Sequence, residues 1–533
     1  MSVRKGIVLL VALSALLFLA GCGNSNGVGV GVAPPSGSFS VSNLNGTYVF
    51  SVSGTDEVNG TPYAIVGSFT ANGNGGITGG SLDINDVAFA ESSPVVPPVA
   101  NASINSNSTY KIGADGRGQA VLVNSTLFGN ITLDFVLSSS SQGLVTEFDS
   151  VGTGSGTLDL QTAGTTPVGS YAFSFSGADF SPTGGAYATV GNFTIGSGGA
   201  IAGLEDFNVN TFGYPDQALG GQLVVGPSSS PSTTLSTNKF GALIFDVYAI
   251  DATHLKFIEM DTFATLAGDA YSQTTTTIPA ETMAFTLEGI YQADTAFAGG
   301  GFMTTDGSTG ITGTEDVTEG ESVSVSPLSF TASYGSTETG RYTLTNFAGG
   351  SFTGSSVYAA YPSSGGLLLL EIDDSGIAAG AGYAQSSTTF AASQGYGLNL
   401  SGLNLSAGSE VDDIAEFAAN STGTTVTGLI DENSVVEGPA TLGQVLSGTY
   451  TPPDSNGRGS ILVPSADTLN GGLLLTFYTV DGTNFPFIET DGGQVSAGIF
   501  IEQNPSSVSP AVAKSHMFVV RPLIRPHAAK LRK

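Results

Sequence analysis

The sequence predicts an all-β protein made of four tandem antiparallel β-meander units that follow an N-terminal export signal. Glycine is abundant, at 75 residues, and charged residues are few, at 11%, which favours short strands and tight turns over helices. Short segments alternate apolar residues with small or polar ones, the period of a half-buried strand. These segments recur four times, which indicates tandem units of the same structure.

The first 22 residues predict the export signal. Arg4 and Lys5 precede an apolar run over residues 6–18, and small residues come just before Cys22. This order is typical of a secretory signal, and the apolar run is short for a membrane span. Residues 23–43 are rich in Gly, Ser, Asn and Pro and predict a flexible tether.

Residues 19–22, Leu-Ala-Gly-Cys, resemble the lipobox of bacterial lipoproteins. In that family the cysteine receives diacylglycerol, the signal is removed and the new N-terminus is acylated. The resemblance implies that lipid on Cys22 holds the protein to a membrane of the cell envelope, and several acyl chains give stable anchoring. Gly23 stands where an Asp favours retention at the inner membrane in that family, so the outer membrane is expected, on either face.

The charge and the rare residue types exclude several classes of function. All 44 acidic residues lie between Cys22 and Ala513 with six basic ones, so this stretch has a net charge of 6 − 44 = −38 and repels nucleic acid. Residues 505–533 form a tail that is basic over its last twenty residues. Cys22 is the sole cysteine and His254 the sole histidine before the tail. No cofactor and no metal site built from His and Cys are therefore indicated.

Each unit opens on the same strand pattern. In the first copy Tyr48, Phe50 and Val52 alternate with small residues and share one face. A strand, a Gly/Asn turn and a second strand follow, which predicts a hairpin. About eight strands per unit close most simply into a small up-and-down barrel, with a two-sheet sandwich as the alternative. The four copies span residues 44–166, 167–278, 279–389 and 390–504.

The units also end alike, on Glu-x-Asp followed by a glutamine fourteen residues after the Glu. An arginine at a Gly-Arg turn precedes the Glu in three of the four units. We predict that each arginine pairs with the glutamate of its own unit inside the barrel, since a buried carboxylate needs a partner. A ligand-binding, metal-binding or catalytic role for the paired carboxylates is the alternative. The predicted pairs are Arg117–Glu147, Arg341–Glu371 and Arg458–Glu489.

Three acidic loops are further candidates. Residues 56–60, 83–86 and 412–413 carry two or more acidic side chains each. None has the full ligand spacing of a calcium loop, so they are interpreted as solvated turns, with calcium binding as the alternative.

The repeated segments, such as Gly46–Gly54 followed by Gly67–Gly79, are similar to those of the uncharacterised tandem β-repeat lipoproteins common in acidobacterial genomes. The resemblance covers residues 44–504 and implies no specific function. The sequence therefore predicts a lipid-anchored, non-enzymatic envelope protein with a structural, adhesive or ligand-binding role. The periplasmic or extracellular ligand is not identified. A carboxylate-using hydrolase and a calcium-dependent adhesin are the alternatives.

Overall fold

The computed structural model describes residues 33–507 except 93–94, 125–128, 163–166, 181–184, 225–231, 240, 292–294, 325, 437, 440–441 and 465–471. The export signal with Cys22, the first part of the tether and residues 508–533 of the tail lie outside the described residues. Within the described ranges, no helix is long and apolar enough to cross a membrane.

The first unit contains nine antiparallel strands in the order β4-β3-β2-β1-β9-β8-β7-β6-β5. The edge strand β5 comes back to the start of β3 at a bridge between Gly76 and Thr109, beside which the Ile77 amide donates to the Ser108 carbonyl at 3.0 Å. A short 3-10 helix, Val41–Asn43, precedes the sheet, and helix α1, Val87–Glu91, follows β3. The strands are β1 (Asn45–Asp56), β2 (Thr61–Asn72), β3 (Ile77–Asp86), β4 (Val99–Ile104), β5 (Thr109–Ile112), β6 (Arg117–Leu122), β7 (Ile131–Leu137), β8 (Gln142–Phe148) and β9 (Gly152–Leu160).

The second unit is a closed barrel of eight strands, each paired with its neighbours in sequence and the last with the first. Its strands are β10 (Gly169–Asp179), β11 (Ala186–Ile195), β12 (Ala200–Val209), β13 (Phe212–Val224), β14 (Ser232–Thr237), β15 (Gly241–Ala249), β16 (His254–Glu259) and β17 (Ala264–Ser272).

The third unit closes in the same way, and its two-residue strand β21 lies beside β20, outside the closed ladder. Its strands are β18 (Thr282–Tyr291), β19 (Thr295–Thr305), β20 (Gly310–Glu319), β21 (Ser322–Val323), β22 (Leu328–Glu338), β23 (Arg341–Gly349), β24 (Tyr358–Ser363), β25 (Gly366–Glu371) and β26 (Gly376–Ala384).

The fourth unit is again a closed eight-stranded barrel. The predicted all-β fold of four tandem meanders is thus confirmed, in the barrel form rather than the sandwich. The strands are β27 (Gly395–Asn404), β28 (Ser409–Asn420), β29 (Thr425–Ser434), β30 (Gln444–Thr451), β31 (Arg458–Val463), β32 (Leu473–Tyr478), β33 (Asn484–Glu489) and β34 (Gln494–Glu502).

The alternating apolar residues of each opening strand point into the barrel. Tyr48, Phe50 and Val52 belong to the core of unit 1, and the equivalent residues lie in the cores of the other units. In unit 4 the rings of Phe485 and Phe500 stack with centroids 4.8 Å apart. A barrel of eight strands is just wide enough for side chains to fill it, and here large apolar side chains occupy the interior.

A glycine ends the repeated motif of each opening strand because the neighbouring backbone comes too close for a side chain. A Cβ placed on Gly54 would lie 1.8 Å from the Thr153 carbonyl oxygen, and one on Gly177 would lie 1.8 Å from that of Thr265. A side chain at either position would push apart the first and last strands of the barrel. The motif therefore specifies where each barrel closes.

The four barrels contact one another in a closed ring. Strands β2 and β3 pack on β15–β17, β11 and β12 on β24–β26, and β18 and β19 on β32–β34. Strands β27–β29 of unit 4 then pack on β7–β9 of unit 1. The early strands of each unit thus meet the late strands of the next, a head-to-tail arrangement that closes when the rotation returns to the start.

Residues 33–43 of the predicted tether pack against the barrels. Phe39 is buried, at 3% exposed, and its amide donates to the Ala114 carbonyl. The Ser36 hydroxyl donates to the Gln503 carbonyl at 2.6 Å, and the Asn43 side-chain amide donates to the Pro505 carbonyl at 3.0 Å. The two ends of the described chain therefore lie side by side where units 4 and 1 meet.

Candidate functional site

An aspartate on the third strand of each unit faces the next barrel. Because side chains alternate between the two faces of a strand, these aspartates point away from their own core while their neighbours point into it. All four are buried where two barrels meet, between 0% and 4% exposed. They are Asp83, Asp206, Asp316 and Asp431.

Arginines of the following unit bind three of these aspartates. The Arg458 Nε and Nη2 donate to the two carboxylate oxygens of Asp316 at 2.7 and 2.8 Å. Arg341 forms the same two-pronged pair with Asp206, with its Nε at 2.8 Å. Paired bonds of this kind fix orientation as well as adding electrostatic energy. Each predicted arginine is therefore a connector between barrels.

Arg117 makes the equivalent connection where the ring closes. Its Nη1 donates to Asp431 of unit 4 at 2.8 Å, and its Nε donates to Asp115 of its own unit at 3.1 Å. The side chain is 1% exposed. A contact between the first and last units thus repeats the contact between units that are adjacent in sequence.

The predicted arginine–glutamate pairs do not form among the described residues, where the three arginines bind aspartates instead. In each predicted pair the arginine and the glutamate lie on opposite faces of the sheet. Arg117 on β6 pairs with Val136 on β7, and Val136 pairs with Leu144 on β8. Arg117 is therefore in register with Leu144, three residues before Glu147. An odd separation turns the two side chains to opposite sides. The same offset separates the other pairs, Arg341 from Glu371 and Arg458 from Glu489.

The glutamates of the Glu-x-Asp motif lie inside their barrels. Tyr63 donates its hydroxyl to Glu147 across the core of unit 1. Burial, followed by the nearby Asp261, raises the pKa of Glu259 to about 11. Burial, followed by the charge of Asp373, raises the pKa of Glu371 to about 8. Burial likewise raises the pKa values of Glu147 and Glu489 well above the usual range.

The aspartate of the same motif caps the turn that follows. One Asp149 oxygen accepts from the Val151 amide at 2.9 Å and the other from the Thr132 amide at 2.8 Å. Asp373 accepts in the same way from Ser375 and Val357, at 2.8 and 2.7 Å. The repeated motif thus serves folding: one acid lies inside the barrel, and the other holds two backbone amides.

The repeated glutamines connect each barrel to the next one. Gln385 donates to the Asn456 and Thr479 carbonyls of unit 4, at 2.8 and 2.9 Å. Gln503, at the end of unit 4, donates to the Asp115 and Leu137 carbonyls of unit 1, at 2.7 and 3.0 Å. Gln273 contacts Gly340 and Pro362, and Gln161 contacts Ala249, in the same direction.

A further connector on the third strand was not recognised in the sequence. The Asn433 side chain of unit 4 donates to the Glu147 and Gly152 carbonyls of unit 1, at 2.9 and 3.0 Å. Asn208 contacts the Glu371 and Gly376 carbonyls in the same manner. Asn85 and Thr318 are the equivalents in units 1 and 3. A repeated Asp-x-Asn/Thr on the third strand is visible on aligning the four copies.

The interface between units 1 and 2 is built differently. Asp83 accepts from the Tyr248 hydroxyl at 2.7 Å and from the Asn101 amide at 2.5 Å. The cation of this interface is Lys256, which lies 3.0 Å from Asp269 and 3.5 Å from Asp159 of unit 1. Its charged form is favoured, because those two carboxylates outweigh burial and raise its pKa.

His254 is buried beside this lysine. Its Nε2 lies 2.7 Å from Asp269, and its ring stacks on Tyr271 with centroids 4.5 Å apart. Lys256 and His254 together lower the pKa of Asp269 to about 2, against the effect of burial. A tight turn precedes His254, and the histidine itself begins β16.

The acidic segments are not solvated turns, because their aspartates are buried and residues 83–86 and 412–413 lie on strands β3 and β28. Most of these carboxylates accept from the protein's own donors, but among the described residues neither oxygen of Asp413 has a hydrogen-bond partner. Asp56 accepts from the Val58 amide at 2.7 Å, and Asp86 caps helix α1 at the Ala88 amide, at 2.8 Å. Asp412 accepts from the Thr153 and Ser155 hydroxyls of unit 1, at 2.9 and 2.8 Å. Across the described part of the chain, no group of three or more His, Cys, Asp or Glu residues could hold a metal ion.

Comparisons with known proteins add little. No protein-family model matches the chain, and no curated protein matches it. Among solved structures, two mutants of the vaccine antigen transferrin binding protein B from Haemophilus parasuis Hp5 show 7% identity and a TM-score of 0.16. They cover 68% and 70% of this chain and 82% and 85% of their own. Intact Ap-TbpB shows 8% identity, a TM-score of 0.16, and coverage of 69% and 86%. Values this low carry no argument about function.

Proposed function

We propose that this chain is a lipid-anchored, non-enzymatic envelope protein whose four barrels act together as one rigid scaffold for a structural or adhesive role. The observation that carries the proposal is the closure of the ring, in which Gln503 and Asp431 of unit 4 bind unit 1. Spacer domains arranged in a line would not bring the first domain into contact with the last.

The barrel interiors favour a scaffold over a carrier of small molecules. Barrels that carry a ligand keep an open interior, whereas here aromatic and aliphatic side chains fill it. Unit 3 contains a cavity of about 20 Å³ beside Phe285 and Phe330, which is the size of one water molecule. A larger pocket of about 150 Å³ lies beside Ile278 and beside Met283 and Tyr383 of the same unit. A ligand of this protein would therefore bind on the outside of the ring.

The hydrolase alternative loses its best candidate residues. Catalytic carboxylates must reach a substrate, but the four glutamates of the Glu-x-Asp motif are 0% to 2% exposed. We expect no turnover of glycosidic or ester substrates by the purified ring. A turnover that Glu259→Gln abolishes while the fold is retained would contradict the non-enzymatic role.

The calcium-dependent alternative is tested by melting the soluble protein with Ca²⁺ and with EDTA. We expect the same melting temperature in both, because Asp56, Asp86 and Asp412 already accept from protein donors and the described residues contain no group of three or more side chains that could hold a metal ion. A rise with Ca²⁺ that is lost in Asp56→Asn would favour the adhesin instead.

The anchoring proposal rests on Cys22 and the lipobox resemblance. The expected result is that an alkyne analogue of palmitate labels the wild-type protein in cells and leaves Cys22→Ser unlabelled. The wild type should remain with the outer-membrane fraction and the variant should not. Equal labelling of the two would contradict lipidation at Cys22.

The scaffold role is tested in cells by comparing rings that differ only in closure. A strain lacking the protein would be complemented with the wild type or with a variant that combines Arg117→Ala, Gln503→Ala and Asn433→Ala, which removes three of the polar connections between units 4 and 1. We expect the wild type to restore envelope integrity or adhesion and the open variant not to, at equal abundance. Full restoration by the open variant would show that closure is not needed.

A further inference from the structure

The interface between units 1 and 2 uses a lysine where the other three interfaces use an arginine. Lys256 is 1% exposed, whereas Lys111 and Lys239, the other two lysines of the described ranges, are exposed. A guanidinium stays charged in proteins, but an amine that gives up its proton is a nucleophile. Of the cations that connect the barrels, Lys256 is therefore the one that can react.

The Lys256 amino group lies among three polar groups. Its Nζ donates to the Thr157 hydroxyl of unit 1 at 2.6 Å and to Asp269 of its own unit at 3.0 Å. The third group is the Asp159 carboxylate of unit 1, whose Oδ2 lies 3.5 Å from the same nitrogen. A small movement of either side chain brings the nitrogen and the carboxyl carbon to about 3–3.5 Å, the separation from which a bond forms.

Apolar side chains flank this contact between the two barrels. Asp159 pairs with Val49 on β1, and Lys256 pairs with Tyr248 on β15. Both of these neighbours belong to the apolar cluster that joins units 1 and 2, and Asp159 and Asp269 are 6% and 5% exposed. Exclusion of water favours the neutral forms of an amine and an acid, and it leaves little water to hydrolyse an amide once formed.

We propose that Lys256 and Asp159 form an amide bond that joins unit 2 covalently to unit 1. The lysine Nζ bonds to the Asp159 Cγ, one Cγ–O bond breaks, and the oxygen leaves as water. Starting from the ion pair, two protons of the ammonium go to that oxygen and the third stays on the amide nitrogen. The bond therefore needs no oxidant, reductant or further reactant.

The neighbouring side chains are placed to move these protons. The Asp269 Oδ1 lies 3.0 Å from the Lys256 Nζ and 2.7 Å from the His254 Nε2, so the histidine orients a carboxylate that can take a proton from the amine. The Thr157 hydroxyl accepts from the same nitrogen and donates to the Asp159 Oδ2 at 3.0 Å. This hydroxyl connects the nitrogen that loses protons with the oxygen that receives them.

The amide would strengthen the one interface whose cation is not an arginine. It would close residues 159–256 into a loop, and a cross-link of this kind stabilises mainly by restricting the unfolded chain. A disulfide cannot serve this purpose within the chain, because Cys22 is the sole cysteine. The inference does not depend on the proposed role in the envelope.

The test is the mass of the denatured protein. The chain with Cys22→Ser is measured, so that lipid does not spread the mass. We expect a mass about 18 Da below that of the unmodified chain, which is the loss of one water in a covalent modification. Pepsin digestion should release two joined peptides, and their fragmentation should place the bond between Lys256 and Asp159.

Lys256→Arg is the matched control, because it keeps the cation and cannot form the amide. Its mass should equal that of the unmodified chain. Asp269→Asn removes the proton acceptor and should lower the fraction of molecules that carry the bond. Near-ultraviolet circular dichroism checks that both variants fold like the parent protein.

Three results would overturn the amide bond: no loss of mass in the parent protein, the same loss in Lys256→Arg, or joined peptides that link Lys256 to Asp269 instead. An undiminished fraction of bonded molecules in Asp269→Asn would overturn the part assigned to Asp269.

Discussion

Each barrel encloses a glutamate whose pKa is raised by burial. Among these glutamates, Glu371 is the one best suited to a titration experiment. Its pKa is about 8, and its Oε1 accepts from the Ser375 hydroxyl at 3.1 Å. The protonated form is stable inside the barrel, so the stability that this group contributes is fully present below the unfolded pKa of about 4.3. That contribution is lost as the pH rises through about 8.

We predict that Glu371→Gln flattens the pH dependence of stability, because the amide keeps the shape of the protonated acid and cannot ionise. Urea unfolding at pH 5 and pH 8.5 should show a smaller drop in the free energy of unfolding for the variant than for the wild type. The exposed Glu338→Gln is the control and should follow the wild type. Equal drops in all three proteins would show that Glu371 does not stay protonated.

The buried arginines act between barrels, and their removal leaves an aspartate without its counterion. We predict that Arg341→Ala lowers the free energy of unfolding by about 3–5 kcal/mol, the usual cost of breaking a buried ion pair. The exposed Lys111→Ala removes the same charge outside any interface and should change stability by less than about 0.5 kcal/mol. A loss for Arg341→Ala as small as that control would contradict the connector role.

At the scale of elements, the glutamine after each last strand joins that strand to the next barrel. Gln503 makes two bonds to unit 1, whereas Gln161 makes one to unit 2 through its amide nitrogen. We predict that Gln503→Ala costs about 1–3 kcal/mol, since two buried carbonyls lose their donor, and that Gln161→Ala costs less.

Hydrogen exchange locates the effect of Gln503→Ala. Amides of the turn between β7 and β8 should exchange faster in the variant, although this turn is far from residue 503 in sequence. A change confined to unit 4 would mean that the glutamine does not connect the two barrels.

The strands were predictable from the sequence because each depends on a local pattern. Tyr48, Phe50 and Val52 alternate, Gly54 marks a close approach of backbones, and turns separate the strands. The partner of Arg117 was not predictable, because it depends on the register across two strand pairs and on a second barrel. Counting strands places Arg117 near Glu147, but an offset of three residues turns the two to opposite faces.

At the scale of the whole molecule, four copies of one barrel form a ring with pseudo-fourfold symmetry. The Gln503 and Arg117 contacts repeat between units 4 and 1 what Gln385 and Arg458 do between units 3 and 4. The repeated glutamine and arginine were visible as markers in the sequence. Their role was not, because a single sequence gives the same repeats whether the units form a line or a ring.

Closure of the ring is tested most directly by a disulfide between units 1 and 4. A Cβ on Gly397 would lie 3.5 Å from that of Val136, within the usual span for a disulfide. With Cys22→Ser, the double variant Val136→Cys and Gly397→Cys has no other thiol. Mild oxidation is expected to join the two cysteines within one monomer, which then migrates faster on a non-reducing gel. Free thiols after oxidation, or disulfides only between molecules, would show that the first and last barrels do not meet.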